Sequence, residues 1–118
     1  MTIKIKIIVK QIIQSVNYTC EINCNHKTFV SQATKHQYLE GHHIIPINLQ
    51  KYFDYSLDIY ANILGVCPSC HRLLHYVLES DKRLVLKLIY NQRKERLYQS
   101  GINLSDNEFL DIIEKKHI

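Results

Sequence analysis

Cysteine and histidine carry the chemistry of this sequence. Its 118 residues include four cysteines and seven histidines, and the cysteines fall into two close pairs, Cys20 with Cys24 in CEINCNH and Cys67 with Cys70 in CPSCH, with 42 residues between the pairs. Zinc takes four thiolate or imidazole ligands in a tetrahedron. A short turn lets both sulfurs of a pair face one ion while the amides of the turn stabilise the thiolates. Two such turns complete one tetrahedron, with Pro68 shaping the second. A disulfide pair or four unrelated buried thiols would be the alternatives. The lysines among the first residues make a secretory signal unexpected, which favours a shared structural Zn2+ on Cys20, Cys24, Cys67 and Cys70. Such an ion contributes an apparent ~10–16 kcal/mol in small finger peptides, enough to staple a domain whose own core is modest.

His71 and His75 follow directly on the second pair and stand four residues apart, a spacing that puts both imidazoles on one face of a helix. His42 and His43 are adjacent at the end of a predicted strand, where side chains alternate, so one can bind a metal while its neighbour faces something else. A neutral imidazole is either a metal ligand or a base able to take a proton from water, and a hydrolytic metal site needs both within a few ångströms. A histidine pair at helical spacing is common on solvated surfaces, and an HH dipeptide alone is weak evidence. What joins them is position. Both sets lie between the cysteine pairs or directly beside them, so the zinc that joins the turns would also join strand to helix.

The elements that must hold these residues are legible in part. The chain is 46% apolar and 22% charged with 3 Gly and 2 Pro, which fits one globular domain and excludes collagen-like, solenoid, linker and largely disordered classes. The run Leu84 to Tyr90 is broken by Lys87, so a membrane span is not expected and a cytoplasmic setting is. The net charge of +4 favours a polyanionic partner. Residues 1–18 fit either a strand or a helix. A strand is predicted from Gln37 to Ile45, a loop from Ile47 to Asp58, and a second strand over 59–66. Helical spacing follows in CPSCHRLLHYVLE, with Pro68 and Ser69 as start signals. A long helix is expected after Ser80 or Asp81, with Leu84, Val85, Leu88, Ile89 and Leu97 recurring and Gly101 as the stop. Its exposed side would carry Arg83, Lys87, Arg93, Lys94 and Arg96, either as a solvated face or as a phosphate-tracking surface. Ser105 and Glu108 have capping-box spacing ahead of the apolar stripe Phe109, Leu110, Ile112 and Ile113. In the central loop, Lys51, Tyr52, Phe53 and Tyr55 suit contact with phosphates and bases, or a role as core anchors.

The strings YLEGHHIIP at 38–46, Asn62 within ANILGVC and CHRLLH at 70–75, together with the cysteine pairs, resemble the HNH endonucleases, the ββα-metal or His-Me finger nucleases, in their zinc-bearing restriction-type branch. The flanking segments extend the resemblance over about residues 18–115. It implies an α+β fold: a small ββα-metal core stapled by a four-cysteine zinc site, with flanking helices. The whole of 1–118 would be a single domain, with its core at about 18–80 and C-terminal helices at about 81–117. Carried over, the resemblance implies His43 as general base, Asn62 orienting it, and His42, His71 and His75 holding a catalytic divalent ion, Mg2+, Mn2+ or another. Glu40 would support a ligand or be one itself. Arg72 and Lys51 are phosphate contacts by proximity in sequence only.

The implied activity is metal-dependent hydrolysis of double-stranded DNA in a bacterial restriction or defence setting. One active site cuts a duplex on both strands only through two protomers or two visits, so a homodimer and a place in a larger restriction protein are both open. A catalytically inactive zinc-stapled nucleic-acid-binding module and a purely structural zinc domain are the competing readings.

Overall fold

A computed structural model describes residues 2–23 and 25–116. The open question at the N-terminus resolves as a helix, α1 (Ile3–Ser15), because Ile5, Ile8 and Ile12 recur at helical spacing and are its buried residues. Thr2 caps it, its hydroxyl accepting from the Ile5 amide at 3.2 Å. Two short strands form an antiparallel pair: β1 (Glu40–His43) and β2 (Ile63–Val66), in the register Glu40 to Val66, Gly41 to Gly65, His42 to Leu64 and His43 to Ile63. Both are shorter than predicted. A 3-10 turn at Tyr60–Asn62 occupies the start of the second expected strand, and another at Ile47–Tyr52 occupies the start of the central loop.

Helix α2 (Pro68–Tyr76) begins with Cys67 as cap and Pro68 in its first turn, where a missing amide hydrogen costs nothing. Val77, in extended conformation, and Leu78 separate it from α3 (Glu79–Gln99), which starts ahead of the expected caps. The Gly101 amide donates to Tyr98 and the Ile102 amide to Leu97, a Schellman closure. Gly101 has φ +95°, and a Cβ there would come within 2.7 Å of the Tyr55 ring, so a residue with a side chain is excluded twice over. In α4 (Asp106–Lys116) the capping box forms in both directions: the Ser105 amide donates to Glu108 at 3.0 Å and the Glu108 amide to the Ser105 hydroxyl at 3.1 Å. The end of the expected C-terminal range, His117, lies outside the described residues.

α1 lies across the strands, where Ile5, Ile8 and Ile12 cluster with Ile63. The approach is closest at Gly41: a Cβ there would lie 2.6 and 2.8 Å from the Val9 methyls. The larger core joins Ile44, Ile45, Leu49, Leu57, Leu64 and Val66 to Leu74 of α2, to α3 and to α4.

Two expectations for α3 are corrected. Its core side is Leu86, Ile89, Tyr90, Arg93 and Leu97, whereas Leu84 and Leu88 lie on the opposite face and are 65% and 64% exposed. Arg93, expected on the surface, is 5% exposed. Its guanidinium donates to the carbonyls of Ala61 at 3.2 Å and Ile63 at 2.8 Å and pairs with Glu21 at 2.5 Å. The other Glu21 oxygen accepts from the Gly65 amide at 2.6 Å. A buried cation is tolerated only when paired and hydrogen-bonded, and this one closes the end of the 3-10 turn ahead of β2. Among the described residues no helix is long and apolar enough to cross a membrane.

Candidate metal centres and active site

The first centre lies where the chain before the hairpin meets the start of α2. Sulfur atoms of Cys20, Cys67 and Cys70 and a ring nitrogen of His26 lie within 4.8 Å of one another. His26 Nδ1 is 3.1 Å from Cys70 Sγ and 3.7 Å from Cys67 Sγ. With zinc–sulfur bonds of about 2.3 Å, a tetrahedron has edges of about 3.8 Å, so the set fits zinc. The three cysteines are free thiols and buried. Burial raises the Cys20 thiol, but amides of Cys67, Asn23 and Ile22 and the Cys70 side chain outweigh it and leave the pKa below its ordinary value. Burial foremost, then Cys67 and Cys20, push Cys70 strongly upward. Neighbouring sulfurs that oppose each other's ionisation in this way are what a divalent ion relieves. Cys24 lies outside the described residues. His26 was not among the expected ligands, although it stands two positions after Cys24 in the same CEINCNH string.

The second centre is built by β1 and α2. The strand presents His42 and the helix presents His71 and His75 one turn apart, and a ligand nitrogen from each lies within 4.8 Å of the others. The ring centroids are 5.3 Å apart from His42 to His71, 5.3 Å from His42 to His75 and 5.0 Å from His71 to His75. Burial, and then the charges of His71 and His75, hold the His42 pKa down to about 3, so its imidazole is a neutral lone-pair donor at any ordinary pH. Glu40 shares the His42 face of the strand. Its carboxylate accepts from His71 Nδ1 at 2.8 Å and from the Tyr38 hydroxyl at 3.0 Å. Burial raises the Glu40 pKa, yet the His71 and Tyr38 hydrogen bonds outweigh it and leave it lowered. A proton kept on His71 Nδ1 leaves Nε2 for a metal, the usual carboxylate–histidine arrangement at such sites.

His43 follows His42 on the strand, and its Nε2 lies 2.8 Å from Asp58 Oδ1. The orienting contact expected from Asn62 is corrected. Asn62 is fully buried and its carboxamide is committed elsewhere: Oδ1 accepts from the Ile45 amide at 2.8 Å, while Nδ2 donates to the carbonyls of Ile45 and Leu57 at 3.0 Å each. Asn62 thereby ties the end of β1 to the segment that carries Asp58, because a buried amide gains more from backbone groups than from a half-exposed ring. Asp58 itself was not singled out in the sequence, where it closes the expected loop.

His42, His43, His71 and His75 border one cleft of about 270 Å3, whose far side is Leu86 and Ile113. Lys82 of α3 also lines it, half-buried, a cation that proximity in sequence did not suggest. Arg72 is exposed on α2 and its charge reaches Glu40. Lys51 is exposed beside the Tyr52 ring, 5.3 Å from its centroid.

The HNH endonuclease family model matches residues 20–76, the segment that contains both centres. Residues 20–76 are an HNH domain. The chain is also similar to the type IV methyl-directed restriction enzyme EcoKMcrA of Escherichia coli (strain K12), 34% identical over 80 residues that make up 68% of this chain and 26% of that protein. It thus spans about a quarter of that relative's length. In the HNH domain of this chain the strand pair and α2 form the ββα unit, and α1, α3 and α4 surround it.

Proposed function

We propose that this chain is a metal-dependent endonuclease hydrolysing phosphodiester bonds of double-stranded DNA in a bacterial restriction or defence setting, with the HNH domain and its flanking helices acting as one unit. The reading is carried by one observation: three imidazoles converge beside a fourth that a carboxylate holds by one nitrogen. His43 is the general base. Asp58 keeps a proton on Nε2, so Nδ1 has the lone pair that takes a proton from water. The water oxygen then bonds to phosphorus in line as the bond to the 3′ oxygen breaks. His42, His71 and His75 would hold the catalytic ion, Mg2+, Mn2+ or another, with Glu40 fixing the His71 ring. When bound, the ion supplies positive charge to a nonbridging phosphate oxygen and to the departing oxygen. Lys82, Arg72 and Lys51 are the cations available to neighbouring phosphates. Zinc on Cys20, Cys67, Cys70 and His26 would keep α2 against the hairpin.

The test is cleavage of methylated and unmethylated plasmid across a panel of divalent ions, with the parent chain and His43→Ala side by side. Ion-dependent cleavage that His43→Ala loses, with zinc content and Tm unchanged, supports the reading. DNA binding without cleavage under every ion would leave the zinc-stapled binding module.

A further inference from the structure

The positive charge of this chain is unevenly placed. Lys4, Lys6, Lys10, Lys27 and Lys35 precede Glu40 with a single acid, Glu21, whereas from Glu40 onward cations and acids number ten each, so the whole +4 excess sits in the first 39 residues. The one acid among them is turned inward to Arg93 and the Gly65 amide. None of these lysines has an ion-pair partner among the described residues; on α3 Arg83 pairs with Glu114, Lys94 with Asp106 and Arg93 is buried, while Lys82, Lys87 and Arg96 form no ion pair with a described residue either.

Two of the unpaired lysines border a groove. Between α1 and a small hairpin closed by the Val30–Gln37 bridge lies a space of about 280 Å3, lined by Lys6 and Lys10 on one side and by Thr34 and the rings of Tyr18 and Tyr38 on the other. The rings are braced: Tyr18 stacks on His36 with centroids 4.1 Å apart, and Tyr38 on Phe29 at 4.9 Å, with Phe29 itself 62% exposed. Among the described residues no acidic side chain lines the groove. Tyr38 on its wall also touches the second centre: its hydroxyl donates to Glu40, whose other oxygen accepts from His71.

We infer that this groove binds the sugar–phosphate backbone of the DNA strand next to the cleaved bond, with Lys6 and Lys10 on successive phosphates and the tyrosine rings against the sugars and bases. The inference rests on the proposed DNA substrate but not on its cleavage. Cations without internal partners, aromatic faces and an absence of acids are the features that suit a polyanion with flat bases.

The test measures binding of the full chain to a labelled duplex oligonucleotide, without added divalent ion, across a range of KCl. Each phosphate contact contributes about −0.9 to the slope of log K against log salt, so Lys6→Gln with Lys10→Gln should flatten the slope by about 1 to 2 and weaken binding about 10-fold at moderate salt. The pair Lys87→Gln with Lys94→Gln on α3 should leave the slope as it is. An unchanged slope in the α1 pair, an equal loss in the α3 pair, or a parent chain that does not bind DNA would overturn the inference. So would loss of binding to phosphatidylserine vesicles with DNA binding intact, since Ile3 and Ile7 are also exposed on α1 and a membrane surface would then be its partner. A parent that binds with this slope and never cleaves would sink the nuclease reading and leave the groove standing. Cleavage by the parent, with binding and slope unaltered in the α1 pair, would do the reverse.

Discussion

Asp58 Oδ1 stands 2.8 Å from His43 Nε2, fifteen residues on in the chain and at the far end of the loop that leaves β1. A base works only in the tautomer that keeps its lone pair on the working nitrogen, and under the proposed role of His43 this contact would set that tautomer. Asp58→Asn should lower the cleavage rate about 10- to 100-fold, the usual cost of losing a partner that orients a histidine, and should move the pH–rate profile. His43→Ala should cost about 10²- to 10⁴-fold. An Asp58→Asn enzyme with an unaltered rate and pH profile would show that the contact is structural only.

The cysteine cluster should behave as a folding element. Purification without chelator should yield zinc in the protein, and stripping it should abolish the cooperative thermal transition followed by circular dichroism. Cys67→Ser and His26→Ala should each lower the zinc content per chain. Full zinc content in His26→Ala would remove that residue from the ligand set.

Arg93 is a buried cation whose partners are three carbonyls and Glu21. Arg93→Ala leaves Glu21 largely buried without its counter-charge, a change that costs about 3–5 kcal/mol in comparable settings. Urea unfolding would measure it, and a double-mutant cycle with Glu21→Gln should return a coupling energy well above that of an exposed pair. A loss within about 0.5 kcal/mol, the range of ordinary surface changes, would contradict this account.

The α4 cap should weaken in acid. Hydrogen bonds from the Ser105 amide and from its side chain hold the fully exposed Glu108 carboxyl below its ordinary value. A group with a depressed folded pKa stabilises the fold above its unfolded pKa, and that contribution is lost as pH falls through the folded value. Stability measured from neutral pH downward should therefore fall less in Glu108→Gln than in the parent once the pH drops below the ordinary carboxylate range. Identical acid limbs would show that the capping box contributes nothing.

The histidine cluster was readable because helical spacing and strand alternation are local rules: His71 and His75 share a face by arithmetic, and His42 must point away from His43. His26 and Asp58 were not, because their partners lie 44 and 15 residues distant and no periodicity links them. Asn62 was recognised by type and place, but its work falls on the backbone of Ile45 and Leu57, a choice that only the packed loop makes. Sequence pattern puts Arg93 on the surface because arginine seldom goes inside, and the carbonyls that draw it in belong to the 3-10 turn and the first residue of β2, about thirty residues earlier. The apolar register of α3 slipped for a related reason: Leu84 and Leu88 repeat as regularly as Leu86 and Tyr90, and sequence spacing alone does not say which repeat meets the core.

Gly41 sits between Glu40 and His42, under Val9 of α1. With no clearance left at that crossing, a methyl group at position 41 would have to displace either the helix above or the strand that carries two members of the histidine site. The two positions should therefore drift together across related sequences, a side chain appearing at 41 only where 9 has been trimmed to alanine or glycine. In the laboratory Val9→Ala should rescue Gly41→Ala.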